Sequence, residues 1–309
     1  MAFLFLSKSD KVHIWKEELT RLVPDLDFRI WPDAGNPEDI DFALIWLPPE
    51  GELERYPNLK VACSLGAGVD HLMKPGMVPD HVPIVRLVDP QMSRQMREWI
   101  LYAVLRLHRE MPIFEAQQRD GVWKSHPNPE TAETTIGILG IGELGALAGK
   151  ALAALDFKVM GWSRSPKEIE GIDCRHGADG LDAVLENSNI IVCLLPLTEE
   201  TRGILDAKAF ARMPKGASVI NAARGAHIVD DDLLAALDTG HLAFAMMDVF
   251  HTEPLPSDHP FWSHPKVTIT PHVASLTPPA SSAPQIAENV RRMRAGEPLL
   301  NVVERSRGY

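Results

Sequence analysis

The sequence predicts an α/β protein with two doubly wound parallel sheets, one domain inserted into the other, on three observations. Short apolar runs alternate with helix-like stretches along both halves of the 309-residue chain. A single long helical pattern, Gln91 to Met111, leads out of the first half. In the second half the apolar run ending at Leu139 breaks into glycines and resumes as a helical pattern.

Composition bounds what such a chain can do. With 45% hydrophobic and 24% charged residues it has material for two buried cores. A formal charge of -11 argues against nucleic acid or an anionic membrane surface as the main partner, so an anionic ligand has to meet a local positive cluster. The opening run Ala2 to Leu6 is too short for a signal-peptide core, and no later stretch approaches a membrane span; a cytoplasmic protein is expected. Cys63, Cys174 and Cys193 lack metal-ligand spacing and read as thiols in a reducing compartment.

Strands are expected at Ala2–Leu6, Phe28–Trp31, Phe42–Leu47, Val61–Leu65 and Ile84–Leu87, making a small α/β domain. After the fourth, Gly66-Ala67-Gly68 forms a turn whose backbone N–H groups can receive a carboxylate. The long helix places Met92, Met96, Trp99, Ile100, Ala103, Val104, Leu107 and Met111 at helical spacing, and Pro112 ends or bends it. Pro127 and Pro129 mark an extended approach to the glycine turn.

In that turn Gly140, Gly142 and Gly145 fit G-x-G-x-x-G. The first glycine permits the bend, the second lets a pyrophosphate approach the backbone, and the third lets helix pack on strand. Ala146 to Leu155 favours a helix and Phe157 to Trp162 a second strand, completing a βαβ unit of the Rossmann type. Further apolar runs at Ile190–Leu195, Ala217–Ile220, Phe244–Met247 and Val267–Ile269 bring the sheet to six strands. The proline-rich stretch Thr277 to Pro284 interrupts the pattern, a last amphipathic helix runs from Gln285 to Arg294, and a tail follows from Asn301.

Ligands of parallel sheets collect outside the carboxyl ends of the strands. Arg224, Asp248, Glu253 and His272 all follow successive strands of the second sheet. A guanidinium, a carboxylate and an imidazole beside a dinucleotide suggest hydride transfer to a ketone that carries a neighbouring carboxylate. Arg224 offers a planar fork for carboxylate and keto oxygen together. His272 can donate a proton as hydride reaches carbon, and Glu253, hydrogen-bonded to it, would orient the ring and favour its protonated form. His251, His259 and His264 have no recognised metal spacing, so no metal is assigned.

These segments resemble the D-isomer-specific 2-hydroxyacid dehydrogenase family nearly end to end. The match comprises Gly66-Ala67-Gly68-Val69-Asp70, the Gly140 to Gly145 fingerprint, Asn221-Ala222-Ala223-Arg224-Gly225, Asp248 to Pro256, and Pro271-His272-Val273-Ala274. The resemblance implies Arg224 as substrate binder, His272 as proton donor, Glu253 as its partner, and Asp248 as a hydrogen-bond partner of the nicotinamide amide. It implies a discontinuous substrate domain (1–100 and 285–309) around a dinucleotide-binding domain (101–284), a cleft that closes on binding, and a homodimer built through the cofactor domains and the long helix. Cofactor contacts are expected at Gly140, Gly142, Glu143, Leu144, Gly145, Ser163, Arg164, Ser165, Leu195, Pro196, Ala222, Ala223 and Asp248, and substrate contacts at Trp46, Ala67, Gly68 and Arg224. Within the family the similarity is nearest to members that reduce glyoxylate and hydroxypyruvate, through Ala43-Leu44-Ile45-Trp46 with Pro48-Pro49, Trp162-Ser163-Arg164-Ser165 and the ending Arg307-Gly308-Tyr309. In that subgroup Trp46 would wall the pocket and limit its size.

Charge selects the cofactor. An NAD-preferring site places an acid about 20 residues beyond the fingerprint, whereas this chain has Ser163-Arg164-Ser165 with Lys167 nearby. Arg164 can pair with a 2′-phosphate and the two hydroxyls can hydrogen-bond it, so NADP(H) is expected in preference to NAD(H). The expected activity is NADPH-dependent reduction of small 2-oxo acids. A reductase of bulkier 2-oxo acids such as phenylpyruvate and a non-catalytic, dinucleotide-sensing interaction protein are the alternatives.

Overall fold

The computed structural model describes residues 2–305; the ending Arg307-Gly308-Tyr309 lies outside the described residues. The chain forms two compact units, one reaching to Met92 and resuming at Leu276, the other Ser93–Ser275. The sequence reading puts the crossings later, at 100/101 and 284/285.

The first unit contains β1 (Ala2–Leu6), α1 (Val12–Leu22), β2 (Asp27–Ile30), β3 (Ile40–Ile45), β4 (Val61–Ser64) and β5 (Ile84–Val85). Its strands are parallel in the order β2-β1-β3-β4-β5. β1 and β3 are buried on both faces, as continuous apolar runs in a parallel sheet should be. Phe3, Phe5, Phe42 and Leu44 enter one core while Leu4, Leu6, Ala43 and Ile45 enter the other. The tail settles against the sheet's edge: Val303 N–H donates to Ile84 O at 2.8 Å and Arg86 N–H to Asn301 O at 3.1 Å, covering β5.

α2 (Pro90–His108) begins in the first unit, with Met92 in its core, and continues into the second, where Met96, Ile100, Ala103, Val104 and Leu107 are buried. It stops before the expected end at Met111. Glu110 adopts φ 51 and a separate α3 (Met111–Asp120) follows, with Pro112 in its first turn. Proline is tolerated there because that N–H has no intrahelical acceptor, so Pro112 opens a helix that the sequence reading does not contain.

The second unit continues with β6 (Thr135–Leu139), α4 (Glu143–Ala153), β7 (Lys158–Ser163), β8 (Asp173–His176), α5 (Gly177–Asn187), β9 (Ile190–Cys193), α6 (Ala207–Arg212), β10 (Ala217–Asn221), α7 (Asp230–Asp238), β11 (Leu242–Met247) and β12 (Val267–Ile269). These strands form one seven-stranded parallel sheet, β12-β11-β10-β9-β6-β7-β8, not the six-stranded sheet expected. The extra strand, β8, is an edge strand of mixed polarity, Asp-Cys-Arg-His, with no apolar run to mark it. Alternate strand residues serve opposite faces: Ile190 and Val192 join α2 and α4, whereas Ile191 and Cys193 join α5, α6 and α7.

α8 (Pro279–Ala295) returns to the first unit and packs its Ile286, Ala287 and Val290 into that core. It starts six residues before the expected Gln285, because Pro279 occupies its first turn and Pro284 is accommodated within it. Ser281 and Ser282 hydroxyls donate to the Asp89 carboxylate at 2.7 and 2.5 Å, holding the start of this helix to the segment that precedes α2.

Candidate active site

All strands of the second sheet run the same way, so the loops after β6, β7, β9, β10, β11 and β12 emerge at one edge. The glycine turn lies at the centre of it. Gly140 has φ +100, and a Cβ there would come within 2.7 Å of Leu194 backbone atoms. A Cβ on Gly145 would sit 2.1 Å from Gly140 O, so the approach of α4 to β6 requires glycine. At Gly142, by contrast, nothing lies within 4 Å of that position. The turn thus has an open cradle at the helix N-terminus, where first-turn N–H groups lack intrahelical acceptors. Glu143 and Leu144 lie in that first turn; the Glu143 carboxylate favours the helix dipole and accepts the Ser93 hydroxyl at 3.3 Å.

Beyond β7, the Ser163 hydroxyl donates to Ser165 O at 2.8 Å. Arg164 Nη1 lies 3.3 Å from Glu200 Oε2, an exposed pair joining the β7 and β9 loops. Lys167 Nζ donates to Ile141 O at 3.0 Å, placing an ammonium against the glycine turn. Leu195 is buried and Pro196 exposed in the loop after β9.

The loop after β10 holds the guanidinium-bearing residue. Ala222 and Ala223 are buried, the Asn221 side chain accepts Ala223 N–H at 3.1 Å, and its amide donates to Arg224 O at 2.8 Å. Arg224 Nη1 donates to Ala223 O at 2.7 Å. A Cβ on Gly225 would lie 2.0 Å from Phe250 C, so this loop packs directly on the loop that follows β11.

That next loop carries Asp248 and Glu253. Asp248 is buried; it accepts the Thr270 hydroxyl at 2.5 Å, Val273 N–H at 2.9 Å and Ala274 N–H at 2.8 Å. Burial raises its carboxyl above the ordinary value, and those donors together with His272 only partly offset the rise. The Asp248 carbonyl also accepts His272 N–H at 2.8 Å, which helps hold His272 at φ 54. Its imidazole Nδ1 lies 2.7 Å from Glu253 Oε2, while Glu253 Oε1 accepts Phe250 N–H at 2.9 Å. Burial pushes the Glu253 carboxyl up, but the His272 hydrogen bond, the Phe250 N–H and the charges of His272 and Arg224 outweigh it, leaving it below the usual range. With Glu253 bound at Nδ1, the ring is oriented through that nitrogen and Nε2 is the atom left to serve a ligand.

Comparisons with known proteins decide the family. The model of "D-isomer specific 2-hydroxyacid dehydrogenase, NAD binding domain" matches residues 101–274. The chain belongs to the D-isomer specific 2-hydroxyacid dehydrogenase family. A relative in Serratia proteamaculans, glyoxylate/hydroxypyruvate reductase A, is 43% identical over 96% of both chains. A family structure from Xanthobacter autotrophicus Py2, solved with NADPH and MES, is 47% identical with TM-score 0.93, covering 100% of this chain and 99% of that one. The NADPH-dependent glyoxylate/hydroxypyruvate reductase of Sinorhizobium meliloti, solved with NADP and sulfate, is 36% identical with TM-score 0.92 and full coverage of both chains.

In this family member the remaining expected residues lie in the first unit. Trp46 follows β3, with its ring 4.6 Å from that of His71, and a Cβ on Gly66 would come within 2.7 Å of its Cζ3. Gly66 is buried and its N–H donates to Ser64 Oγ at 3.1 Å, whereas Ala67 and Gly68 are half-buried. Among the described residues no group of three His, Cys, Asp or Glu side chains could hold a metal ion, and no helix is long and apolar enough to cross a membrane. His227, fully buried and accepting Arg224 N–H at Nδ1, is absent from the sequence reading. Its only signal was a histidine two residues beyond the Asn221–Gly225 segment.

Proposed function

We propose that this chain reduces small 2-oxo acids, glyoxylate and hydroxypyruvate among them, to 2-hydroxy acids with NADPH as reductant. The observation that carries the reading is the 2.7 Å contact between His272 and Glu253, with Arg224 near enough to bias the same carboxylate. The open cradle at Gly142 fits a pyrophosphate, and Arg164, Ser163 and Ser165 fit a 2′-phosphate. Bound there, the reduced nicotinamide would supply the hydride. Arg224 would bind the substrate carboxylate and polarise the keto oxygen. His272 would deliver the proton from Nε2 to that oxygen, with Glu253 holding the ring through Nδ1. Asp248 would anchor the loop bearing His272 and serve the nicotinamide amide.

The name of the Serratia relative, the NADPH bound in the Xanthobacter structure, and the name and bound NADP of the Sinorhizobium reductase support this reading. Trp46, Ala67 and Gly68 would contact the substrate. A homodimer is supported by apolar residues exposed on and beyond the long helix, Tyr102, Leu105, Met111 and Trp123. Three free thiols accord with a cytoplasmic setting.

The test is oxidation of NADPH and of NADH with a panel of 2-oxo acids. Turnover of glyoxylate and hydroxypyruvate, faster with NADPH, supports the proposal. Preference for phenylpyruvate would reassign the substrate, and retained cofactor binding without turnover of any oxo acid would point to a sensing role.

A further inference from the structure

His227 closes the turn Gly225–His227 after β10 and is fully buried. A buried imidazole is costly unless its polar atoms are bonded. Here both nitrogens meet backbone. Nδ1 lies 3.2 Å from Arg224 N, whose N–H donates to it. Nε2 lies 3.3 Å from Pro196 O, and Nδ1 also lies 3.1 Å from Arg224 O; a proton on Nε2 satisfies both Arg224 N–H and Pro196 O, whereas a proton on Nδ1 would serve only Arg224 O, which already accepts from Asn221. One ring therefore spans the backbone of Arg224 and the loop after β9. Both ends are fixed by other bonds: Asn221 Nδ2 donates to Arg224 O at 2.8 Å, Thr201 Oγ1 to Pro196 O at 2.8 Å, and Leu205 N–H to His227 O at 3.0 Å.

We infer that His227 is a positioning residue that sets the Arg224 fork at a fixed offset from the cofactor-side loop at Pro196. The inference rests on the substrate role proposed above for Arg224 and on the cofactor contact expected from the sequence at Pro196. Its two nitrogens have separable tasks: Nδ1 locates the substrate-binding residue, and Nε2 ties that residue to the dinucleotide edge. A ring that merely filled space would show no such division.

Two near-isosteric variants of the full-length protein separate the tasks. In His227→Asn the amide oxygen falls where Nδ1 lies, keeping the acceptor for Arg224 and losing the link to Pro196. In His227→Gln the amide nitrogen falls where Nε2 lies, keeping that link and losing the acceptor. Losing the acceptor for a buried N–H is expected to cost His227→Gln about tenfold in kcat/KM for glyoxylate, with the NADPH Kd, read by cofactor fluorescence, within about twofold of wild type. His227→Asn should keep kcat/KM for glyoxylate within about threefold and lose instead in NADPH affinity. His227→Leu should lose both; if it does not fold, the Asn and Gln pair decides. Parallel losses in both variants that track melting temperature, or an unimpaired His227→Gln, would overturn the inference. A wild-type protein that reduces no oxo acid would count against the functional reading instead, so the two failures are distinct.

Discussion

His272 and Glu253 meet at 2.7 Å although they are 19 residues apart and leave the sheet on different loops, after β12 and after β11. Three further hydrogen bonds keep the pair in register. Asp248 grips the His272 segment through Val273 and Ala274 N–H groups, and the Phe250 N–H holds the far oxygen of Glu253. The imidazole is thus oriented by charge from one side and by backbone from beneath.

Replacing the two members should therefore have unequal effects. His272→Gln removes the proton donor and is expected to lower kcat by about 10²–10⁴-fold. Glu253→Gln keeps a hydrogen-bond partner but removes the charge, for a loss of roughly tenfold. Steady-state kinetics with glyoxylate, alongside NADPH titration showing cofactor binding intact, check both. Equal losses would mean that Glu253 does more than orient the ring.

The same carboxylate leaves a signature in stability. Its folded value lies below its ordinary value of 4.5, so the unfolded chain binds the proton more readily and the pair stabilises the fold at neutral pH. That contribution is fully present above the unfolded value and is lost as pH falls through the lowered folded value. The difference in melting temperature between wild type and Glu253→Gln should shrink as pH falls from about 5.5 through the carboxyl's own range. Melting curves across pH 3–5.5 measure it, and a difference that grows as pH falls over that range would contradict the assignment.

Cofactor choice rests on Arg164. Its contact with Glu200 is exposed on both sides and is worth on the order of 0–1 kcal/mol, so a 2′-phosphate can compete for the guanidinium. Arg164→Ala should cut kcat/KM for NADPH by about ten- to a hundredfold and leave that for NADH within about twofold. Glu200→Gln should shift neither by more than about threefold. Initial rates with the two cofactors decide it, and equal losses for Arg164→Ala would remove Arg164 from the account.

What was legible in the sequence was whatever burial writes as pattern. β1, β3, β6 and β9 are apolar because both faces of a parallel sheet are covered, and the glycines at 140 and 145 are there because a Cβ would strike the backbone. Arg224, Glu253 and His272 could be sorted to one edge because parallel strands share their carboxyl ends. β8 escaped because an edge strand need not be apolar, and α3 because a proline reads as a stop whether it ends one helix or opens the next. The start of α8 was hidden the same way by Pro279 and Pro284. His227 escaped because its partners are backbone atoms of Arg224 and Pro196, and such bonds leave no spacing rule in the sequence.

The most direct measurement is a crystal structure of the protein with NADPH and oxamate, an unreactive analogue of a small 2-oxo acid. The account predicts the oxamate carboxylate on the Arg224 guanidinium and its carbonyl oxygen at about 3 Å from His272 Nε2, beside the nicotinamide. Oxamate held by other residues, with Arg224 and His272 both turned away from it, would contradict the account.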